Sequence, residues 1–327
     1  MGAMMAWTNA GLVEQGATES FDLDMELDLV PNAQDTANDF ALTLPMAIRP
    51  AENAAVFVDN SPWGGLVQGR SSDTAVPGVL EWRGRTWLGV LADRVLVPPS
   101  GQEFNYSSGS VSECITALMT SLGLNGLFKA GDCPTESISN YKHKRYPNGM
   151  DALYDMLASV DMKPTFRAAS NGGTLEVRIS ASEIATATEP VDGEGVDVFM
   201  FRDFTPYNHI IALGTGEGTS RIVQHYYADA NGNVSGTKSI TGLAERTYKY
   251  DYPNADAEDL AEYAVKKLAE FQGQGSVKVT LPDGSDLHLG DKVRAYDPRI
   301  DESVTARVVK CVVKVSNGIE ECAWSAE

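Results

Sequence analysis

Acid–base chemistry would first be sought at histidine, because an unperturbed imidazole titrates near neutrality. The chain has four: His143, His209, His225 and His288. None lies in a GxSxG, HExxH or DxDxDG arrangement, and none has a serine, cysteine or carboxylate partner in a recognised order. His288 alternates with Leu287 and Leu289 and is expected to face outward. His143 falls in Tyr141-Lys142-His143-Lys144-Arg145-Tyr146, the one basic cluster, read as an exposed loop with a phosphate or partner site as its alternative. Two carboxylates drawn together from distant positions would leave no trace in spacing, so a glycosidase-type hydrolase remains an alternative here.

Asp22, Asp24, Glu26 and Asp28 stack along one side of Phe21 to Val30. Calcium loops need ligands converging from a turning backbone, whereas a straight strand spreads them, so a solvated or lumen-facing acidic face is expected. Gly214-Thr215-Gly216-Glu217-Gly218 lacks the Gly-Lys-Ser/Thr that opens a helix in a phosphate loop. Cys114, Cys133, Cys311 and Cys322 are scattered without CxxC or Cys/His spacing and read as free thiols. No catalytic, cofactor or metal residue is assigned.

The chain has 327 residues, room for two or three domains. Lys+Arg of 26 against Asp+Glu of 45 gives a net charge of −19, which argues against binding nucleic acid by phosphate neutralisation. No apolar run reaches the ~18 residues of a membrane helix, and the N-terminus has no basic region followed by a long apolar core. Synthesis in the cytoplasm without a signal peptide is the expectation.

The elements follow from periodicity. Phe21, Leu23, Met25, Leu27 and Leu29 alternate strictly with acids, the pattern of a half-buried strand, and Phe40, Leu42 and Leu44 repeat it. Further short strands over 55–59, 66–67 and 80–97 predict a barrel or sandwich, Leu80 to Val97 being read as two strands folded at Gly84 and stopped by Pro98-Pro99. Beyond these prolines the period becomes helical: Val111, Cys114, Ile115, Leu118, Met119 and Leu122 predict one helix, and 149–160 a second. A hairpin then turns at Asn171-Gly172-Gly173. Thr186 to Gly195 reads as a bridge between domains. Strands follow, then a helix over 256–271, then strands again, with turns at Pro282-Asp283-Gly284 and Ser316-Asn317-Gly318.

Four stretches carry a likeness: Asn38-Asp39-Phe40; Gly64-Gly65-Leu66-Val67; Glu81 to Leu91, with Trp82, Gly84, Arg85 and Trp87, running on to Pro98-Pro99; and Leu287 to Val293, with Gly290 and Asp291. In this order they resemble the minor tail or baseplate-hub proteins of long-tailed, siphovirus-type phages and prophages. The resemblance implies an α+β, mainly β fold with two tail-tube-like β-barrel domains, at 6–108 and at 198–327 with one helix, and an α+β domain inserted at 109–197. It also implies a non-enzymatic protein of the virion tail tip, forming a homotrimer whose two barrels per copy match a sixfold tube. Neighbouring tail-tube, distal-tail and tip proteins would be the partners. Phage DNA would pass the channel without specific binding, and Asp22, Asp24, Glu26 and Asp28 would line it. The alternatives are a tail-associated cell-wall hydrolase and a carbohydrate-binding receptor module presenting Trp7 or Trp63 on a groove.

Overall fold

The computed structural model describes residues 3–30, 37–191, 196–202, 206–272, 275–281, 287–316 and 319–327. The expected turns at 282–284 and 317–318 lie outside them, as do 192–195 of the expected bridge. Two compact units result: residues 1–198 with 278–327, and residues 199–277.

In the first unit the alternating segments become neighbours in one antiparallel sheet. Nine of its strands run in the spatial order Ile319–Ala326, Glu302–Ser316, Asp22–Asp28, Asp39–Pro45, Val79–Thr86, Gly64–Ser71, Ala55–Val58, Met5–Thr8 and Glu14–Thr18. Strands from the two ends of the chain therefore pair directly, with Asp24 opposite Lys314 and Met25 opposite Val313. One face buries Leu23, Met25, Phe40, Leu42, Trp82, Cys311 and Val313, and the other meets water. The fold is α+β and mainly β, as expected, but the barrels are corrected: among the described residues no sheet closes on itself. The strand that would have to turn back on the N-terminal β segment pairs instead with the C-terminal one.

Leu80 to Val97 is also corrected. Val79–Thr86 is a strand, but Trp87–Ala92 is a short helix whose first turn is capped by the Thr86 hydroxyl, which accepts from the Gly89 N–H at 3.2 Å. All of Trp87 to Leu91 is buried, so no alternation or stripe distinguished helix from strand. Pro98 and Pro99 follow in the loop beyond it. Helix Val111–Ser121 begins in a capping box between Ser110 and Glu113, and Gly123 takes the left-handed backbone (φ +70°) just past its end. It packs with helix Gly149–Ala158 against a small sheet of Met162–Asn171, Thr174–Glu183 and the parallel strand Phe128–Ala130. Thr186–Val191, expected as part of a linker, is a strand parallel to Lys292–Asp297.

In the second unit His209–Leu213, Val223–Ala228, Val234–Ser235 and Thr247–Asp251 form a four-stranded sheet. Helix Ala257–Gln272 covers it and buries Leu260, Ala264, Leu268 and Phe271 on Ile210 and Ala212.

Two glycines make the main sheet possible. A Cβ on Gly84 would stand 1.9 Å from the Leu66 carbonyl oxygen, and one on Gly65 2.0 Å from that of Arg85. The Phe40 ring lies over both. Gly84→Val is expected to cost about 3 kcal/mol or more, since backbone rather than a mobile side chain blocks the new atoms. Urea unfolding checks this, and a variant within 1 kcal/mol of the parent would contradict it.

Candidate functional site

The alternation of Asp22–Asp28 fixes which side chains can meet solvent. Asp22 and Asp24 are exposed, Glu26 is half-buried, and Asp28 at the far end is buried. Asp28 accepts a hydrogen bond from the Val30 N–H at 2.8 Å and so closes its own strand end. The row is not a bare acidic stripe. On one side Lys310 lies 2.6 Å from Glu26 and 3.8 Å from Asp28, Lys314 pairs opposite Asp24, and Ser316 donates to Asp22. On the other side Asp39 binds Arg85 at 2.6 Å and Glu81 binds Arg83 at 2.5 Å. Asp24, Glu26, Asp39, Gln68 and Arg83 line an open groove of about 550 Å³ on this face. Glu26 and Asp39 are each paired with a cation. Exposed pairs of this kind stabilise by at most about 1 kcal/mol, so their main consequence is the pattern of charge presented to solvent.

The residues of the family likeness are brought together as supports for this face. Asn38, held at φ +68°, pairs its side chain with both backbone groups of Asp28 at 2.9 Å. Its carbonyl accepts from the N–H and the hydroxyl of Thr86, each at 2.9 Å. One residue thus ties the acidic strand to the start of the Trp87–Ala92 helix. Arg85 adds the Ala37 carbonyl at 3.0 Å and Asp93 at 3.1 Å. Trp87 is buried over Gly64 and meets Phe128 edge-on at 6.4 Å. Trp82 is buried as well, with Arg70 near its ring.

Gly290 and Asp291 build a second support. Gly290 is left-handed (φ +97°), which turns the chain so that the buried Asp291 carboxylate accepts from Lys163 Nζ, the Ala185 N–H at 2.8 Å and the His288 N–H at 2.9 Å. Lys163 itself is buried. This charge pair fastens the C-terminal strands to the hairpin of the inserted segment.

The histidines fall into different surroundings. His288 is exposed, as expected. His143 is not in an open loop: it is 2 % exposed, with Nε2 2.8 Å from the Ser107 hydroxyl and the Tyr141 ring edge-on to it. Nδ1 of His143 has no partner among the described residues, so no third group completes a Ser–His–acid set. In the second unit, His209 Nε2 meets His225 Nδ1 at 3.0 Å, while its Nδ1 faces Glu245 at 3.1 Å and the Thr247 hydroxyl at 2.9 Å. The contacts span 16, 36 and 38 residues, so no local motif announces them. The rings stack with Tyr227 and clamp three strands side by side. Among the described residues no group of three or more His, Cys, Asp or Glu side chains is arranged to hold a metal. Trp63 is buried, so it offers no open ring face for a sugar, and Trp7 is half-buried against Gly16. Cys311 and Cys322 are free thiols, and their mutual hydrogen bond together with burial pushes the Cys311 thiol up.

No family model matches the chain, and no curated protein matches it. Solved structures do. The tail protein from Neisseria meningitidis MC58 is 14% identical, with a TM-score of 0.52 over 100% of this chain and 97% of that one. The 43 kDa tail protein of prophage MuSo2 from Shewanella oneidensis is 12% identical, TM-score 0.52, over 99% and 98%. A chain of the p2 virion baseplate in activated conformation is 12% identical, TM-score 0.50, over 99% and 98%. The likeness carried by the sequence motifs is thus a shared fold over the full length. Among the described residues no helix is long and apolar enough to cross a membrane.

Two outcomes follow. Asp291→Ala should cost about 3–5 kcal/mol, because it leaves the Lys163 ammonium buried and unpaired. Lys163→Met should cost less, since Asp291 keeps two backbone donors; urea titrations giving the reverse order would contradict this. Burial holds His143 and His209 below the ordinary imidazole value of 6.5. The unfolded chain then takes up protons that the folded one refuses, so stability should be level above that value and fall on acidification below it. Thermal melts from pH 7.5 to 5 check the sign, and His143→Gln should lessen the fall.

Proposed function

We propose that this chain is a structural component of a phage or prophage tail tip, a baseplate hub or minor tail protein that joins the tail tube to the tip and forms part of the DNA channel. The observation that carries the reading is one sheet, built from both ends of the chain, whose wet face displays Asp22, Asp24 and Glu26. A conduit for DNA must not hold its cargo, and carboxylates repel phosphate. Lys310, Lys314, Arg83 and Arg85 on flanking strands moderate this repulsion without reversing the chain's −19 charge. The full-length likeness to tail and baseplate proteins supports the same reading.

In this reading three copies assemble, each giving two tube-like portions, 6–108 and 198–327, with 109–197 inserted. The segment Phe199–Val277, a compact unit of its own, falls within 198–327. The partners are tail-tube, distal-tail and tip proteins, the location is the virion tail tip, and the role is non-enzymatic. The ion-paired groove and the enclosed Trp63 favour neither a hydrolase nor a glycan-binding module.

Charge reversal tests the channel face. The unaltered protein should leave duplex DNA unbound at 0.1 M salt. Asp22→Lys/Asp24→Lys/Glu26→Lys should bind it, with log K falling against log salt at a slope of about −2 to −3, near −0.9 for each phosphate neutralised. Fluorescence anisotropy reads both. Tight binding by the unaltered protein, or none by the variant, would overturn the proposal.

A further inference from the structure

Arg49 and Arg70 line one cavity of about 280 Å³ together with Ser71, Ser72 and Leu80, and among the described residues no carboxylate lines it. Arg49 lies beyond the strand Asp39–Pro45, and Arg70 is near the end of Gly64–Ser71. Both arginines are exposed, and neither has an ion-pair partner among the described residues. Each is nonetheless held in place. Arg49 Nε donates to the Met46 carbonyl at 3.3 Å, and the Arg70 guanidinium stands 5.9 Å over the Trp82 ring. The Ser71 hydroxyl donates to Glu81 at 3.1 Å, and Glu81 is itself paired with Arg83 at 2.5 Å, so that carboxylate is already engaged. The cavity therefore carries two positive charges and no negative one.

Two like charges on one small cavity repel each other, and guanidinium N–H groups without acceptors are suited to an oxyanion. A carboxylate would bring one charge and two oxygens. A phosphate monoester brings about two charges and three acceptor oxygens, which matches a pair of guanidinium groups. A second cavity of about 420 Å³ shares both arginines and is lined also by Pro50, Val67 and Trp82, with Glu52 as an acceptor. Apolar walls with a single polar group are what an organic group attached to that phosphate would meet. We propose that Arg49 and Arg70 bind the phosphate of a small phosphate monoester, whose organic group occupies the adjoining cavity. Neither arginine lines the acidic groove, so this site stands apart from the face assigned to the channel.

Titration of the full chain followed by phosphorus NMR at 0.15 M NaCl tests it, with inorganic phosphate and adenosine monophosphate as probes. The nucleotide should bind saturably with a dissociation constant of about 1 mM or lower, and inorganic phosphate more weakly because it leaves the second cavity empty. Equal affinity for the two probes would overturn the placement of the organic group. Arg49→Gln/Arg70→Gln should raise the constant at least about tenfold and shift the melting temperature by less than about 2 °C, as exposed substitutions do. Arg94→Gln/Arg145→Gln, which alters exposed cations on other segments, should leave binding unchanged. Absence of saturable binding by the parent, or an equal loss in both double variants, would overturn the proposal and leave the tail-tip reading intact. Duplex DNA that displaces the nucleotide would also overturn it, by assigning the two arginines to a polymer backbone.

Discussion

The antiparallel pairing of Asp22–Asp28 with Glu302–Ser316 is the constraint on which the rest depends. It joins segments 284 residues apart in one ladder, so the strand that carries the acids is central and cannot slip by one residue without burying carboxylates and exposing Leu23, Met25 and Leu27. Closing so long a loop carries a large entropic cost, offset by the apolar face of the same strands and by the anchors at either end. Asn38 is the anchor on the N-terminal side and Asp291 on the C-terminal side. Each is a buried polar residue whose hydrogen bonds are directional, so each fixes a geometry that apolar packing alone would leave loose.

This division of labour makes the residues of the likeness supports for the strands and turns around them. Gly65 and Gly84 let two strands approach under Phe40, Arg85 and Thr86 hold the turn into a helix, and Gly290 aims Asp291. Their chemistry is that of spacing and hydrogen bonding. The face they hold up carries charge in pairs, and the charge left over is acidic.

Much of this was legible in the sequence because the signals were local. Strict alternation gave the strands at 22–28 and 39–45, three-and-four spacing with Gly123 gave the helix at 111–121, and Asn171-Gly172-Gly173 gave the hairpin. Trp87–Ala92 was misread as strand because a run that is apolar on every side carries no period. Thr186–Val191 was misread as linker because its parallel pairing with Lys292–Asp297 relies on backbone groups, which composition does not reveal. Burial of His143 among charged neighbours, and the meeting of His209, His225 and Glu245, depend on contacts between segments far apart in the chain. Barrel closure failed as an expectation for the same reason: short strands and turns set the local architecture, whereas the partner of an edge strand is decided by the whole fold.

Electron cryomicroscopy of intact tails carrying this protein would show which way the acidic face points. Density for its sheet should appear at the tail tip, repeated about the tube axis, with the Asp22, Asp24 and Glu26 side chains turned toward the lumen. Density that turns this face outward or packs it against another protein, or a tip without the chain, would contradict it.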